Sequence, residues 1–223
     1  MSSARRRPWY GPVVQRAAAL KQGYTTGART LASRSITGLA RTRITPNALT
    51  ASGVALCLAA SVLVLFEHRN EILFYWLAAV VFVAGSLLDI LDGALARAGG
   101  KTTPFGAFID STTDRVSEGF MLTAIAYVFA RQHHDVFVAV AVAAVAGSFL
   151  VSYTRARAEA LGLRGDVGIG SRAERVVVIT AGLVLAPWGV LPWAIVLLTV
   201  TAWLTVVQRV LHVRKQLMEA TRV

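Results

Sequence analysis

The sequence predicts an all-α, polytopic membrane protein with six transmembrane helices and an amphipathic juxtamembrane helix ahead of them. Its 223 residues are 55% hydrophobic and 16% charged, with a mean hydropathy of +0.58, which is too apolar for an ordinary soluble domain. Apolar runs recur along the chain, and most approach the roughly 20 helical residues that cross about 30 Å of hydrocarbon. Cations are concentrated between alternate runs, which is the pattern of a multi-pass chain.

The first 44 residues are expected to form a basic cytoplasmic segment with an amphipathic helix. They belong to a stretch of nine cations without any acid. Apolar side chains recur at helical spacing from Val13 to Leu39, which predicts one or two helices lying on the cytoplasmic leaflet. Residues up to about Arg7 are expected to be a disordered basic tail. A Thr-Pro-Asn sequence at 45–47 then resembles a helix start, because Thr and Asn cap helices and Pro is tolerated in the first turn.

Six apolar runs are the predicted spans. Their approximate limits are 48–66, 72–89, 116–130, 136–151, 176–188 and 191–207. The first run begins too far into the sequence, and lacks the small-residue cleavage site, to be a cleavable signal. Its Cys57 is the single cysteine, so an intramolecular disulfide and a cysteine metal site are excluded, and a packing role is expected. We expect one compact six-helix domain over 45–215 and a cytoplasmic tail over 216–223.

The net charge of +11 is distributed so as to predict the orientation of the chain. On the side of the amino-terminal segment, cations follow the second, fourth and sixth runs: Arg97, Lys101, Arg155, Arg157, Arg164, Arg172, Arg175, Arg209, Arg214, Lys215 and Arg222. The opposite side holds only Arg69 and Arg131. The positive-inside rule therefore places both termini in the cytoplasm, in a cell membrane. Nucleic acid is not expected as a partner, because anionic lipid already meets these cations.

Four aspartates lie beside or inside the second and third runs: Asp89, Asp92, Asp110 and Asp114. Helical spacing of three and four residues puts each pair on one face, and both pairs are expected at similar depth near the cytoplasmic side. A carboxylate in hydrocarbon costs several kcal/mol, so the cluster requires cations or a function. Oxygen ligands of this number favour two Mg²⁺ ions, or Mn²⁺ as a substitute.

The aspartates belong to the pattern D-x-x-D-G-x-x-A-R, eight residues, then G-x-x-x-D-x-x-x-D, which runs from Asp89 to Asp114 with all eight fixed positions present. This pattern resembles the signature of the CDP-alcohol phosphotransferases. The resemblance implies an integral membrane enzyme with six transmembrane helices, usually a dimer. Such an enzyme moves a phosphatidyl group from a CDP-linked lipid to an alcohol and releases CMP.

The resemblance also implies roles for single residues. The four aspartates would bind two metal ions, and Asp114 would also take the proton from the attacking hydroxyl. The cytidine diphosphate of the lipid would be held by Asp89, Asp92, Gly93, Arg97 and Thr103, together with Thr45, Pro46, Asn47 and Ala48. Metals that neutralise a diphosphate and a base that activates the alcohol suit this transfer.

Five arginines surround the connection between the fourth and fifth runs: Arg155, Arg157, Arg164, Arg172 and Arg175. Guanidinium groups bind phosphate oxygens in bidentate fashion, so an acceptor that carries its own phosphate is favoured. The segment resembles that of actinobacterial phosphatidylinositol-phosphate synthases, S-Y-x-K-A-R-A-E, G-L-R-G-D and R-P-E-R, with Arg155 in place of Lys and Ala173 in place of Pro. The resemblance implies transfer from CDP-diacylglycerol to inositol phosphate, and Arg155, Arg157, Arg164 and Arg172 are the candidate phosphate ligands.

Three other functions would account for part of the same pattern. A phosphatidylglycerol-phosphate synthase that uses glycerol-3-phosphate would also need phosphate-binding arginines, and the sequence SYTRARAE from Ser152 separates the two. A secondary transporter would usually show an internal repeat, and none is visible. A non-catalytic scaffold would gain nothing from four carboxylates. An ether-lipid donor would leave no trace in the sequence.

Glu118 is expected to pair with Arg115 or Arg157. A homodimer in membrane lipid is the expected assembly.

Overall fold

The computed structural model describes residues 46–98, 100 and 102–220. The predicted amphipathic helix and Thr45 lie outside this part of the chain. Within it the regular structure is helical, which confirms the all-α class. Six α-helices follow in order: α1 Pro46–Val64, α2 Glu71–Ala98, α3 Pro104–Arg131, α4 Asp135–Ala160, α5 Arg172–Val184 and α6 Leu191–Ala220.

Four of these helices are long and apolar enough to cross a membrane, namely α1, α2, α4 and α6. Their outer surfaces carry exposed apolar side chains such as Val80, Val136 and Trp193, each about two-thirds or more exposed, as expected where lipid is the solvent. The chain is therefore a multi-pass membrane protein. The other two helices are less suited to crossing a membrane, because α3 carries acids in its first half and α5 has only 13 residues. The predicted count of six spans therefore stays a prediction.

Several helices end beyond the predicted runs, as α4 does at Ala160 and α6 at Ala220, and two further differences have identifiable reasons. Helix α3 begins twelve residues before the apolar run at 116, because the Thr103 side chain caps it by accepting a hydrogen bond from the Gly106 amide at 3.0 Å. Asp110 and Asp114 are consequently helical. Helix α5 ends at Val184 rather than 188, since Pro187 cannot continue it, and a 3₁₀ turn at Ala186–Trp188 follows.

The interior consists of side chains from all six helices. Helix α1 packs on α2 and α3, α4 packs on α3 and α6, and α5 packs on α2 and α6. Phe82, Met121 and Ile195 are among the fully buried side chains. Cys57 is free and buried in the same core, which confirms its packing role.

Helices α1 and α2 cross at two glycines, one turn from Asp89. A Cβ atom on Gly53 would lie 2.9 Å from the Gly85 carbonyl oxygen, and one on Gly85 would lie 2.7 Å from both Cys57 Sγ and the Gly53 carbonyl oxygen. Only residues without a side chain allow this approach of two backbones. The close crossing brings the start of α1 to the acidic end of α2.

Candidate active site

Three carboxylates converge where α2 ends and α3 begins. Asp89 and Asp92 of α2 and Asp110 of α3 each offer an oxygen atom, and these atoms lie within 4.8 Å of one another. Asp89 and Asp92 are both only 4% exposed, whereas Asp110 is more accessible. Helical periodicity and the short α2–α3 connection together produce this arrangement.

Asp114 joins the cluster through Arg172, the first residue of α5. The Nη1 atom of Arg172 forms ion pairs with Asp89 and, at 2.7 Å, with Oδ1 of Asp114. Both carboxylate oxygens of Asp89, and Oδ1 of Asp114, accept no hydrogen bond of acceptable geometry from the described residues. Buried oxygens of this kind are costly unless something coordinates them, so the site fits divalent cations with oxygen ligands.

Thr50 is a site residue that the sequence interpretation missed. Its hydroxyl donates a hydrogen bond to Oδ2 of Asp92, and it reaches that carboxylate because α1 crosses α2 so closely. The interpretation stopped at Ala48, although Thr50 is one helical turn beyond Pro46 and lies on a similar face. The apolar context of residues 48–66 concealed a polar side chain that fixes the orientation of a candidate metal ligand.

Glu118 has a different partner from the one predicted. The expectation that it pairs with Arg115 or Arg157 is wrong, because Arg175 of α5 donates to both of its carboxylate oxygens, at 2.7 and 2.9 Å. Both side chains are buried. The partners are 57 residues apart, so local spacing could not have revealed the pair.

The candidate CDP-lipid residues lie around the same end of the bundle. A Cβ atom on Gly93 would lie 3.3 Å from Nη1 of Arg97, so this guanidinium group covers the glycine one turn from its own position. Thr103 caps α3, as described above, and its side chain is exposed. Asn47 and Ala48 are exposed in the first turn of α1.

The four arginines predicted to bind the acceptor phosphate are placed differently from one another. Arg172 contacts the aspartates. Arg155 forms an exposed ion pair with Glu159 at 2.8 Å, and Arg157 is exposed on the same helix. The Arg164 peptide exchanges two hydrogen bonds with the Gln216 side chain of α6, at 3.0 and 2.9 Å, and the residue is exposed.

Comparison with known proteins identifies the family of the chain. The family model described as CDP-alcohol phosphatidyltransferase matches residues 43–213. The chain belongs to this family. The matched region includes α1 to α5 and most of α6, and with them every candidate site residue from Thr45 to Arg172.

Three relatives of this CDP-alcohol phosphatidyltransferase have names that describe synthases of inositol phosphate lipids. It is 37% identical over 180 residues to the archaetidylinositol phosphate synthase of Pyrococcus horikoshii, covering 80% of this chain and 88% of that protein. It is 38% identical over 182 residues to the phosphatidylinositol phosphate synthase of Mycolicibacterium smegmatis, covering 78% and 79%. The third is the phosphatidylinositol phosphate synthase of Mycobacterium tuberculosis, whose crystal structures are similar to the present one.

One of those crystal structures has CDP-DAG bound, with 32% identity, a TM-score of 0.72, and coverage of 82% of this chain and 94% of that chain. Another is a complex with manganese and citrate, with 33% identity, a TM-score of 0.72, and coverage of 82% and 88%. The relatives' names agree on inositol phosphate in the product and differ in the lipid that carries it.

Proposed function

We propose that the protein transfers the phosphatidyl group from CDP-diacylglycerol to inositol phosphate and produces phosphatidylinositol phosphate and CMP. The observation that carries this proposal is the contact between Arg172 and the aspartate cluster. A cation that binds phosphate lies directly beside carboxylates that can hold metal ions. An acceptor with both a hydroxyl group and a phosphate group suits this juxtaposition.

The donor would lie at the end of the bundle where α1, α2 and α3 meet. Asp89, Asp92, Asp110 and Asp114 would hold two Mg²⁺ ions, or Mn²⁺ in their place. When bound, these ions neutralise the diphosphate and polarise the phosphorus that is transferred. Gly93 leaves room for the diphosphate beside the α2 backbone, while Arg97 and Thr103 contact it. Residues 45–48 contact the cytidine.

The acceptor would approach from the side of α5. Arg172 binds its phosphate, with Arg155, Arg157 and Arg164 as further ligands, and this holds a free hydroxyl group towards the donor. Asp114 takes the proton of that hydroxyl group as its oxygen forms a bond to the phosphatidyl phosphorus. The bond from that phosphorus to the CMP oxygen breaks, and CMP leaves with the electron pair.

The membrane arrangement completes the proposal. All six helices cross the bilayer of the cell membrane, including α3 and α5, and the aspartate end faces the cytoplasm together with both termini. Residues 1–44 lie on the cytoplasmic leaflet with an amphipathic helix, 45–215 form the catalytic domain, and 216–223 end the chain. Two copies associate as a homodimer. The acidic half of α3 is tolerated because it faces the other helices and the ligands rather than lipid.

The test is release of CMP by the purified protein in CDP-diacylglycerol micelles with Mg²⁺. Inositol phosphate, glycerol-3-phosphate, free inositol and serine are compared as acceptors. Release with inositol phosphate alone is expected. Faster release with glycerol-3-phosphate would contradict the proposed acceptor but not the chemistry of the aspartates. A parallel assay with an ether-linked CDP-lipid decides between the two donor classes that the relatives' names suggest.

A further inference from the structure

Helices α3 and α5 are joined by two successive ion pairs. Asp114 and Glu118 lie four residues apart on α3, and Arg172 and Arg175 lie three apart on α5, so each set faces one way. Arg172 meets Asp114 at 2.7 Å, and Arg175 meets Glu118 one turn further along. The Arg172 and Asp114 side chains are 28% and 23% exposed, whereas those of Arg175 and Glu118 are 7% and 10% exposed. A ligand can therefore reach the first pair but not the second.

The geometry of the inner pair is strongly constrained. Nε and Nη2 of Arg175 donate to the two oxygens of Glu118, so both atoms of the carboxylate are already bound to one planar group. Removing either partner from such a buried pair leaves an uncompensated charge. Glu118 is thus occupied by Arg175 and is not available to a metal ion in this arrangement.

Arg175 also fixes the residues that precede α5. Its Nη1 atom donates to the Gly170 carbonyl oxygen at 2.8 Å, and the Gly170 amide donates to Oγ1 of Thr205 on α6 at 2.9 Å. A Cβ atom on Gly170 would lie only 3.0 Å from that hydroxyl oxygen. Ser171 then caps the helix, and Glu174 completes a capping box with it. Residues on both sides of Arg172, Ser171 before it and Glu174 after it, are therefore held in place.

We infer that Glu118 and Arg175 are positioning residues that fix the start of α5 and so hold the Arg172 guanidinium against Asp89 and Asp114. The consequence for catalysis rests on the proposed function, in which Arg172 binds the acceptor phosphate. Neither Glu118 nor Arg175 touches the reacting atoms. Arg155, in contrast, lies on an exposed helix face and pairs with Glu159, which is itself exposed.

The first test replaces Arg175 by Lys. Lysine keeps the charge but cannot bind both carboxylate oxygens and the Gly170 carbonyl oxygen in one plane. We expect the KM for inositol phosphate to rise about tenfold, because loss of a residue that supports a ligand-binding side chain commonly has an effect of this size. The KM for CDP-diacylglycerol should change less than about twofold. An equal rise in both KM values, or unchanged KM values with a lower Tm, would overturn the inference.

Arg131→Lys is the matched control. Arg131 likewise pairs with a buried carboxylate, that of Glu67, but it is the last residue of α3 and lies away from the aspartates. Its replacement should lower Tm without changing either KM. If Arg175→Lys itself prevents folding, the double variant Glu118→Gln with Arg175→Gln replaces the ion pair by two amides and avoids a buried lone charge. The same selective rise in the acceptor KM is expected.

A distance measurement tests the inference without any substrate. Spin labels at Thr112→Cys of α3 and Ala173→Cys of α5 occupy exposed positions, and the native Cys57 is buried. The distance distribution should broaden in the Arg175→Lys background and stay narrow in the Arg131→Lys background. An unchanged distribution in Arg175→Lys would contradict the positioning role. This result stands even if the native protein prefers another acceptor, so failure of the proposed function is distinguished from failure of the inference.

Discussion

The two ends of the helix bundle each contain a buried carboxylate, and their surroundings differ. Glu67, in the turn after α1, is 4% exposed, pairs with Arg131 and accepts hydrogen bonds from the His68 amide at 2.7 Å and from Gln132 at 3.3 Å. Asp89, near the other end, is also 4% exposed, yet beyond its ion pair with Arg172 its oxygens accept no hydrogen bond of acceptable geometry from the described residues. Burial alone therefore does not separate a structural acid from a functional one.

The hydrogen bonds of a buried acid indicate its role better than its exposure does. The chain supplies partners for Glu67, so that residue stabilises the fold. For Asp89 it supplies one shared cation and three neighbouring acids, which is an arrangement completed by a ligand. A cavity of about 280 Å³ lies towards the Glu67 end, lined by Tyr75 and Gln132 among others. The presence of a cavity therefore does not mark the functional end of the bundle.

The largest expected effect is on turnover. Asp114→Asn should lower kcat by about 10²- to 10⁴-fold, the usual contribution of a general base, while the Kd for CDP-diacylglycerol changes little. Glu67→Gln is the matched change at the other end and should leave kcat unaltered. CMP release and lipid binding measured on both variants provide the comparison. Normal turnover in Asp114→Asn would remove the proposed base.

Mg²⁺ should stabilise the protein by binding at the aspartate end. At a concentration 100 times its Kd, a cation that binds the folded state adds about 2.7 kcal/mol of stability, so Tm should rise with Mg²⁺ and fall on chelation. Asp89→Asn should abolish this rise, whereas Glu67→Gln should lower Tm and keep the rise. The measurement is a thermal unfolding series in detergent. A full Mg²⁺ response in Asp89→Asn would contradict the metal site.

Two helices cross tightly near each end of the bundle, so adding one methyl group at each crossing compares the two ends. A methyl group on Gly53 would press on the Gly85 carbonyl of α2, and one on Gly182 of α5 would lie 2.7 Å from the Ala194 Cβ atom of α6. Gly53→Ala and Gly182→Ala should each cost about 1–3 kcal/mol, as overpacking usually does. Only Gly53→Ala should also weaken Mg²⁺ binding, because it displaces Thr50 from Asp92. Equal Mg²⁺ affinities in the two variants would show that the crossing does not shape the site.

The helices and the aspartate cluster could be predicted because they depend on local patterns. Hydropathy indicated the apolar runs, and the spacing of Asp89, Asp92 and Asp110 predicted that they share one region, since a short turn joins their helices. The family motif assigned the chemistry. Pro187 could also have revealed the early end of α5, because proline within an apolar run interrupts a helix.

The remaining contacts depend on how distant helices cross, which no local pattern reports. Thr50 meets Asp92 across 42 residues of sequence, and Glu118 meets Arg175 across 57. The arginines show the same limit. Their number predicted a phosphate-binding region, but charge alone could not show that Arg172 would contact the aspartates.

Two exposed ion pairs with the same helical spacing should have the smallest effect on stability, and only one of them contains a proposed acceptor ligand. Arg155 and Glu159 of α4 are 57% and 55% exposed, and Lys215 and Glu219 of α6 are 75% and 65% exposed. Arg155→Ala and Lys215→Ala should each change the free energy of unfolding by less than about 0.5 kcal/mol, because solvent screens such pairs. As an acceptor ligand, Arg155 should still affect substrate binding. Arg155→Ala should raise the KM for inositol phosphate about tenfold, the effect of losing one charged hydrogen bond, whereas Lys215→Ala should leave this KM unchanged. Denaturant unfolding and acceptor titrations of CMP release measure the two quantities. Identical KM values in both variants would leave Arg155 as a surface residue and assign the acceptor phosphate to Arg172 and the remaining arginines.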